Sequence, residues 1–424
     1  MRLEVPGSGV AGTNPVGWDY YLYESGGTYY AVSNGGITTS DADFVTLFAS
    51  VLAANKSYLL GEGTFSVAAG GIVVSGVNGV RLEGINEYST ILEAAAACPD
   101  GVLNVRSDNV VVRNLTVDGN AKATTVGLSV GSTGDESTHA YHGTYEAIII
   151  KDCTTAGLRS CDDVNYTNFV DIRCADSHVS YGLQFFGDDY SNYNSGQQTF
   201  VNCVFSGPDA AVIRTWTAGG TCKGIAFVGC DFQDGHSGVN QVDCTGMYNV
   251  LFDRCIFETS ESGDASESQI RLDSYGVTFN CCSFAARAYG TTTFISNGHS
   301  YSAAGMGGYT FIGTKLYNYT VGDVMFSIDE GTIIGLSKES THTGTTFSAG
   351  ALAGCTIIGD NHPDATNLVS NFNTSLKIPY SSSAAASPPT LTVDGQIAIW
   401  HDSTNDKEYI IIMSDGETVK VELT

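Results

Sequence analysis

Polar and aromatic side chains recur at every second position in short segments between residues 159 and 273. The segments read Arg159-x-Cys161-x-Asp163, Gln184-x-Phe186-x-Asp188, Arg214-x-Trp216, Gln241-x-Asp243 and Arg271-x-Asp273. Since alternate side chains of a strand point to the same side, these residues would share one face of a sheet. Aromatic rings stack on sugars, guanidinium and amide groups bind hydroxyls or acidic sugars, and paired carboxylates perform acid–base chemistry. The pattern therefore predicts a carbohydrate-binding groove.

From this alignment we expect glycan contacts from Arg159, Gln184, Phe186, Arg214, Trp216, Gln241 and Arg271, and acid–base chemistry from Asp188, Asp243 and Asp273. Neighbouring strands lie about 4.8 Å apart, so Asp243 and Asp273 would approach the separation of about 5–5.5 Å that a retaining glycosidase needs. The alternative is a solvated face whose charges pair along the stack and add modest stability. The alignment places Leu158, Leu183, Ile213, Val242, Ile270 and Leu272 inward, and a slip of one residue would invert every side chain.

A repeat between residues 225 and 284 indicates how these segments are positioned. It reads Ile225-x-Phe227-x-x-Cys230-x-Phe232, Val250-x-Phe252-x-x-Cys255-x-Phe257 and Val277-x-Phe279-x-x-Cys282-x-Phe284, with periods of 25 and 27 residues. Within each copy, two pairs of alternating apolar residues are separated by a step of three. Two short strands joined at a corner explain that step, and recurrence at this period is typical of a solenoid coil.

The same register extends in both directions. It fits Val110-x-Val112-x-x-Leu115-x-Val117, Ile148-x-Ile150-x-x-Cys153, Phe200-x-x-Cys203-x-Phe205 and Tyr309-x-Phe311-x-x-Thr314-x-Leu316, and fits Leu352-x-x-Cys355-x-Ile357 loosely. The coil with Phe169 and Cys174 is irregular, because Asp171 takes the usual aromatic place. Stacked coils would place like residues in columns, as in a parallel β-helix. A β-propeller or sandwich is the alternative, but tight hairpin signals are scarce before the C-terminus.

Composition favours a β-rich chain and excludes some partners. The 424 residues contain 50 Gly, 8 Pro and 10% aromatics, which suits short strands and many turns. The net charge of −26 would repel phosphate backbones and anionic membranes, so we expect no binding of nucleic acid. Residues 1–20 have no apolar core of a signal peptide, and no run of about 18 apolar residues predicts membrane insertion. We therefore expect a protein that is made in the cytoplasm and stays there or leaves within a virus particle.

Twelve cysteines would suggest disulfides in a secreted protein. At least six of them occupy the same inward position of the repeat, so a column of buried, reduced thiols is the favoured interpretation. No Cys-x-x-Cys pair occurs and no Cys/His cluster has zinc-like spacing. We expect neither a metal nor a cofactor.

The ends of the chain differ from its middle. Residues 1–39 predict an arm and a β-hairpin, and Ser40 with Asp43 resembles a capping box before an amphipathic helix of about 13 residues. The parallel β-helix is expected over residues 40–360, with a swollen loop at 124–145 that could frame a binding surface. Residues 361–389 read as a linker, and residues 390–424 as a three-stranded antiparallel module. Three strands are too few to be stable alone, so one face of this module must meet another surface. It resembles small C-terminal β modules of viral fibre and spike proteins, which often hold three chains together; the resemblance implies a homotrimer, and a monomer whose last module folds back on its own helix is the alternative.

The N-terminal motifs resemble those of a known superfamily. The hairpin Tyr29-Tyr30-Ala31, the helix, Leu60-Gly61-Glu62-Gly63-Thr64-Phe65, Leu82-Glu83-Gly84 and Ser89-Thr90-Ile91-Leu92 follow in the order found in pectate-lyase-like, right-handed parallel β-helix proteins, including many phage tailspikes. The resemblance implies an all-β right-handed parallel β-helix with an N-terminal capping helix. It also includes Gly187-Asp188-Asp189, Gly235-His236 and Ile270-Arg271, which are similar to polygalacturonase elements without the usual lysine or second glycine.

What the resemblance implies about function is a virion appendage of the tailspike or receptor-binding fibre type. Such a homotrimer would engage cell-surface polysaccharide beside other virion proteins, with or without cleavage of the glycan. One alternative is a dedicated polysaccharide hydrolase or lyase. The other is a purely structural component of a virion or filament.

Overall fold

The chain winds into a right-handed parallel β-helix in the computed structural model. The structure describes residues 15, 17–131, 139–161, 163–174, 181–187, 194–206, 210–216, 221–233, 241–258, 270–272, 274–285, 293–296, 308–317, 324–327, 330–335, 337–338, 345–347, 354–358, 380–383, 397–402, 407–414 and 417–423. The predicted fold class is confirmed.

The elements are short. Those of the N-terminal cap and first coils are β1 (Tyr20–Ser25), β2 (Thr28–Ser33), β3 (Gly36–Asp41), α1 (Phe44–Val51), β4 (Ser57–Leu60), β5 (Gly63–Val67), β6 (Ile72–Ser75), β7 (Arg81–Gly84), β8 (Thr90–Ala94), β9 (Leu103–Arg106), β10 (Val111–Asp118), β11 (Val126–Val130), β12 (Ala140–Tyr141), β13 (Thr144–Lys151), β14 (Ala156–Ser160), β15 (Val164–Asn165) and β16 (Asn168–Cys174). The middle coils contain β17 (Tyr181–Gly187), β18 (Asn194–Gly196), β19 (Thr199–Val201), β20 (Val204–Ser206), β21 (Ala210–Trp216), β22 (Thr221–Lys223), β23 (Ala226–Val228), β24 (Asp231–Gln233), β25 (Val242–Asp243), β26 (Met247–Tyr248), β27 (Leu251–Asp253), β28 (Ile256–Glu258), β29 (Ile270–Arg271), β30 (Thr278–Asn280), β31 (Ser283–Ala285) and β32 (Thr293–Ser296). The last strands are β33 (Tyr309–Ile312), β34 (Lys315–Tyr317), β35 (Val324–Ser327), β36 (Glu330–Ile334), β37 (Ser337–Lys338), β38 (Thr345–Phe347), β39 (Gly354–Ile358), β40 (Tyr380–Ser383), β41 (Ile397–Asp402), β42 (Lys407–Ser414) and β43 (Glu417–Leu423).

Each coil passes through up to four faces. Face 1 stacks the strands that carry the first aromatic residue of each repeat, from β4 and β7 to β36 and β39, and face 2 stacks the strands after the bend, such as β20, β24 and β28. Face 3 is an eleven-stranded sheet from β6 to β38, and face 4 is a five-stranded sheet of β12, β15, β18, β22 and β26. Parallel in-register pairing of successive coils generates the columns that the repeat predicts.

A left-handed residue makes the bend between faces 1 and 2. From β10 onward this residue has a positive φ in every coil for which the bend is described, as at Asn202 (52°), Gly229 (63°) and Arg254 (53°). One residue in this conformation turns the chain and leaves both flanking segments with their apolar side chains inward. The bend is the physical cause of the three-residue step in the repeat.

Stacked phenylalanines fill the core. Phe169, Phe200, Phe227, Phe252, Phe279 and Phe311 form one column with ring centroids 4.7–5.0 Å apart. Each thiol of the adjacent column donates to a carbonyl of the preceding coil, as from Cys255 Sγ to the Phe227 oxygen at 3.4 Å. The eleven cysteines whose side chains are described are free, and ten are buried. The reduced column is confirmed for Cys203, Cys230, Cys255 and Cys282, four thiols instead of the expected six or more.

Three coils differ from the predicted register. Ile172 pairs with Ile148, and Cys174 pairs with Ile150 and Phe205, so Cys174 holds the second aromatic position and Asp171 is the left-handed bend residue. Cys153 therefore follows the second pair and lies outside the thiol column. Ile357, which the register assigns to the second aromatic position, instead continues the column of Phe311, the place that the register gives to Leu352. The apolar pattern alone leaves such shifts open, of two residues at Cys174 and of five at Cys153 and Ile357, because either placement buries the same kind of side chain.

The cap closes the N-terminal end of the core. Asp43, rather than Ser40, is the N-cap of α1, and its carboxylate accepts from the Thr46 amide at 2.7 Å. The helix has eight residues instead of the expected 13 or so, and its buried side chains Phe44, Leu47, Phe48 and Val51 cover the first coils. The Tyr58 hydroxyl links the end of α1 to the coil: it donates to the Val51 oxygen and accepts from the Ala53 amide, both at 2.8 Å.

The outward positions of face 1 change in character along the axis. In β7, β10 and β13 they include Arg81, Glu83, Arg113 and Glu146, which form a ladder of ion pairs. In the seven strands β16, β19, β23, β27, β30, β33 and β36 the outward residues at the same positions are Asn168, Val170, Thr199, Val201, Ala226, Val228, Leu251, Asp253, Thr278, Asn280, Thr310, Ile312, Thr332 and Ile334. We name these fourteen residues the uncharged strip, since Asp253 is its single charged member.

The C-terminal strands form a separate four-stranded sheet. β41, β42 and β43 pair antiparallel, as the sequence indicates for this segment. β40 lies within the predicted linker and pairs parallel with β41. The oligomerising role of this sheet stays a prediction.

Candidate functional site

Face 3 carries the residues that the sequence pattern selects. Arg159 pairs with Gln184, and Asp243 pairs with Arg271, so these four side chains share one outward column. The neighbouring inward column contains Leu158, Leu183, Val242 and Ile270, all buried as expected. Phe186 lies two residues beyond Gln184 on the same side of the sheet.

The predicted alignment slips by one residue at β21. Val212, not Ile213, pairs with Leu183 and Val242, and it is buried. Arg214 and Trp216 therefore pair with Phe185 and Gly187, which puts their backbone positions in the parity opposite to that of Gln184. Their expected place in the outward column is wrong, because the consecutive apolar residues of this segment allow either choice until the neighbouring coils pair. Nothing further is described of these two side chains.

Arg159 and Gln184 are buried rather than exposed in an open groove, with 8% and 4% of their surfaces accessible. Arg159 Nε donates to Gln184 Oε1 at 2.8 Å, and Nη1 donates to the Pro99 carbonyl at 3.0 Å. The guanidinium lies over the Phe186 ring, 4.5 Å from its centroid. Burial lowers the pKa of Arg159. Gln184 and Pro99 therefore position the guanidinium, which covers one side of the partly exposed Phe186 ring.

The remaining predicted residues of face 3 are more scattered. Gln241 is also buried, and its amide donates to the carbonyls of Phe232 and Glu258, so it ties two coils together rather than facing solvent. Asp243 and Arg271 are partly exposed, and the residue paired with Asp243 is Arg271, not the expected second carboxylate. Asp188 and Asp273, with Asp189 and His236, lie outside the described residues.

A cluster of which the sequence pattern selected only Asp163 lies on face 4 and its adjoining corner. His139 Nδ1 is 3.3 Å from Asp163 Oδ2, and the His139 ring stacks on Tyr141 at 4.9 Å. In the next row, the exposed rings of His142 and Tyr166 stack at 5.1 Å with an interplanar angle of 15°. We name these five residues the corner cluster.

Backbone pairing between two neighbouring coils brings the His139–Tyr141 stack and the His142–Tyr166 stack together. Tyr141 pairs with Asn165 on the next coil, and the His142 amide donates to the Asn165 carbonyl. The Tyr141 amide donates to Asp108 Oδ1 at 2.9 Å. Burial, followed by the charges of Asp163 and Asp108, raises the pKa of Tyr141, so its hydroxyl stays protonated and able to donate at neutral pH.

His142 and Tyr166 occupy an unusual backbone position. The corner after face 4 uses one left-handed residue per coil, and its amide donates to the next coil, as at Asn109, Gly224 and Asn249. Most described coils place Asn or Gly there, the residues that adopt this conformation with least strain. Tyr166 has φ 54°, although a bulky residue is rarely found in this region. The backbone at Tyr166 is therefore strained. The Tyr166 side chain lies on the outside of the coil, with 53% of its surface exposed.

Only part of this cluster could have been found in the sequence. The expected loop at 124–145 supplies His139, Tyr141 and His142, but it contains β11 and β12 rather than one long loop. A visible signal was the aromatic Tyr166 after Asn165, at a position where most other described coils carry Asn or Gly. That Asp163 and Tyr166 lie beside residues 139–142 follows from the length of the coil between them and not from any local motif.

Within the described residues, no group of three or more His, Cys, Asp or Glu side chains is arranged to hold a metal ion. No helix within the same residues is long and apolar enough to cross a membrane.

Comparisons with known proteins support the fold. No family model matches the sequence, and no curated protein matches it. ORF18 of Geobacillus virus E2 superposes with a TM-score of 0.50 and 13% identity, over 94% of this chain and 93% of its own. The gp42 tailspike of Acinetobacter phage vb_AbaP_AS12 gives 0.48 and 11% over 90% and 78%. The A-module of the mannuronan C-5 epimerase AlgE6 of Azotobacter vinelandii gives 0.40 and 12% over 75% and 94%. At 13% identity, the likeness to ORF18 concerns the fold alone.

Proposed function

We propose that this chain is a glycan-binding appendage of a virus particle, similar to a tailspike or receptor-binding fibre, and that it engages polysaccharide on a host surface. The observation that carries the proposal is the corner cluster. It combines exposed aromatic rings with hydrogen-bonding groups at the end of a rigid stack of strands, which is the composition a sugar site requires.

Each part of the corner cluster has a role in such a site. The Tyr166 ring, held by the His142 stack, offers a flat surface to the apolar side of a pyranose. The Tyr141 hydroxyl and the His139 imidazole supply donors, and the Asp163 carboxylate accepts from sugar hydroxyls. The aromatic partners and the strained backbone limit ring movement, so little conformational entropy is lost on binding.

Charge narrows the class of glycan. The chain carries a net charge of −26, and Asp108 and Asp163 lie beside Tyr141. A polyuronate would be repelled by this surface, whereas neutral sugars and amino sugars would not. We therefore propose that the corner cluster binds a neutral or amino-sugar-containing polysaccharide.

Face 3 is the second proposed contact region. Phe186, Arg271 and Asp243 remain accessible in part, and Arg214 and Trp216 belong to the same sheet. In the enzymatic version of the proposal, Asp188, Asp243 and Asp273 perform acid–base cleavage of the bound glycan. The pairing of Asp243 with Arg271 favours a charge-paired face over a two-carboxylate site, so binding without cleavage is the preferred form.

A glycan array probed with the purified full chain tests the proposal. We expect signal on neutral or amino-sugar glycans and a loss of at least about tenfold in affinity for Tyr166→Ala, equal to about 1.4 kcal/mol. Tyr88→Ala is the matched control, because Tyr88 is 74% exposed and far along the chain from the cluster. Phe186→Ala and Arg271→Ala report on face 3, and a reducing-sugar assay with Asp243→Asn reports on cleavage. A folded chain without array signal would support the purely structural alternative.

The assembly is proposed to be a homotrimer joined through its C-terminal sheet and attached to other virion proteins. The supporting observation is the small sheet of β40 to β43, in which β42 contains the run Ile410–Met413, apolar at four successive positions, so at least one face of this strand needs a covering surface. Sedimentation of the full chain and of a chain ending at residue 389 would test it. Identical sedimentation states for the two would contradict it.

A further inference from the structure

Two charged side chains are buried among the described residues, and their surroundings differ. The Oδ2 atom of Asp118, which is 6% exposed, lies 2.7 Å from the ammonium group of Lys151. Arg159 is 8% exposed, and no carboxylate of the described residues lies within ion-pair distance of it. The hydrogen bonds of its guanidinium end on uncharged oxygens, those of the Gln184 amide and the Pro99 carbonyl. Because a guanidinium stays protonated, Arg159 is a buried cation without a counter-ion from the described part of the chain.

A buried charge of this kind is costly. Proteins keep such groups where a partner of opposite charge compensates for the lost hydration. The contact of Arg159 with the Phe186 ring, 4.5 Å from its centroid, compensates only in part. Burial lowers the pKa of Arg159, and the opposing influence of Cys161 and Asp100 does not cancel that shift. The surroundings of Arg159 therefore favour the arrival of an anion.

Positive charge exceeds negative charge in this part of face 3. Arg106 Nη2 lies 3.6 Å from Asp100 Oδ2, and Arg106 Nε donates to Asn104 Oδ1 at 3.1 Å. Asp100 directly follows Pro99, whose carbonyl accepts from Arg159. Among the described residues, two guanidinium groups thus share one carboxylate, and the side chain of Asp100 is 59% exposed. This local excess contrasts with the net charge of −26 of the whole chain.

The guanidinium of Arg159 still has donors to offer. A guanidinium has five N–H groups, of which Arg159 uses one at Nε for Gln184 and one at Nη1 for Pro99. The remaining N–H groups at Nη1 and Nη2 include the end-on fork that matches the two oxygens of a carboxylate. Arg159 is not sealed from solvent, and the Phe186 ring beside it is partly exposed.

From these observations we propose that the Nη1–Nη2 edge of Arg159 binds the carboxylate of a small ligand, with the Phe186 ring as an apolar wall. An acidic sugar and a free organic acid share this chemistry. The proposal concerns one carboxylate and not a polyuronate, which the acidic surface of the chain would repel. It does not rest on glycan binding by the corner cluster, because a free acid would satisfy the guanidinium equally.

Isothermal titration calorimetry of the full chain with sodium acetate, at neutral pH and with chloride holding the ionic strength constant, tests the proposal. We expect saturable binding with a dissociation constant on the order of 1 mM, as for a small ligand held by one bidentate contact. Since binding to the folded chain alone raises Tm, about 20 mM acetate should raise Tm by about 3 °C above its value in chloride.

Two variants separate the site from general charge effects. Arg159→Met should weaken acetate binding at least about tenfold, because it removes the fork. Arg173→Met is the matched control: it removes the same charge from an exposed position on face 2 and should leave the dissociation constant unchanged. If Arg159→Met misfolds by circular dichroism, Arg159→Lys repeats the test, since lysine keeps the charge but lacks the fork. Absence of saturable acetate binding to the wild type, or equal binding by the Arg159 variants, would overturn the proposal.

Glucuronate in place of acetate distinguishes the two sources of the carboxylate. Binding of glucuronate at least about tenfold tighter than that of acetate, with the advantage lost in Phe186→Ala, would support an acidic sugar. Equal dissociation constants would support a site for free small acids. Glucose, which has no carboxylate, should not bind at this position, and binding of glucose that is lost in Arg159→Met would contradict the assignment of a carboxylate.

Discussion

The substitution Tyr166→Asn should stabilise the fold while it weakens glycan binding. Tyr166 holds a left-handed φ of 54° at a corner where Asn249 and Gly224 occupy the equivalent position. A bulky side chain in this region costs about 1–2 kcal/mol, whereas Asn tolerates it with little strain. Because stability and binding are expected to move in opposite directions, general damage to the protein cannot produce the result.

The magnitude follows from two opposing terms. The substitution releases about 1–2 kcal/mol of backbone strain and loses the stack of Tyr166 on His142. Because this stack is exposed, we assign it about 0.5 kcal/mol, the low end of the range for aromatic pairs. The net gain is about 1 kcal/mol. With an unfolding entropy of about 2.1 cal/mol/K per residue over roughly 300 cooperative residues, Tm should rise by about 1–2 °C.

Thermal melts followed by circular dichroism measure the first effect, and titration with the best array glycan measures the second. Tyr275→Asn is the control, because Tyr275 is 49% exposed on the same side without a positive φ. The reverse change, Asn249→Tyr, should lower Tm by a similar amount. A Tyr166→Asn variant that melts below the wild type, or no higher than Tyr275→Asn, would refute the argument from strain.

Three further predictions concern the core and the cap. Phe252→Ala should cost about 3–5 kcal/mol in urea unfolding, since the ring is fully buried between Phe227 and Phe279, while Ile256→Ala, 41% exposed, should cost about 0.5 kcal/mol or less. A thiol reagent on the native chain should label Cys281 before the ten buried described cysteines, because burial raises the pKa of thiols such as Cys174 and Cys203 and disfavours the reactive thiolate; equal labelling of all of them would contradict the buried column. Tyr58→Phe should cost about 1–3 kcal/mol through its two lost hydrogen bonds. Burial raises the pKa of Tyr58 from 10.0 to about 12, so the stability it contributes is present below pH 10 and is lost as pH rises toward 12; thermal melts across this range should show a smaller loss in the Phe variant.

Much of the fold could be predicted because the solenoid repeats one local rule. Each coil alternates apolar residues, turns at a left-handed residue and alternates again, so the spacing of Phe227, Cys230 and Phe232 already contains the strand, the bend and the next strand. The reduced thiols followed from the same argument. Prediction failed where the local rule allowed two answers, as at Cys174, where a two-residue shift leaves an equally apolar inward column.

The candidate site was less predictable for a related reason. At β21, Val212 and Ile213 are adjacent apolar residues, and only pairing with Leu183 and Val242 decides which of them points inward. Arg159 was expected to face solvent, yet its guanidinium donates to Pro99, 60 residues earlier in the chain. The alternation of residues within a strand does not show whether a loop from another coil covers the outer face of that strand.

The sequence by itself determined the coil, its bend, the aromatic and thiol columns and the capping helix, because these depend on residues close together in the chain. Tertiary structure alone decided the register between coils, the burial of Arg159 and Gln184, the assembly of the corner cluster and the continuity of the uncharged strip. Those features join residues from different coils, and the hydrogen bonds between coils, not the alternation within a strand, set which side chains become neighbours.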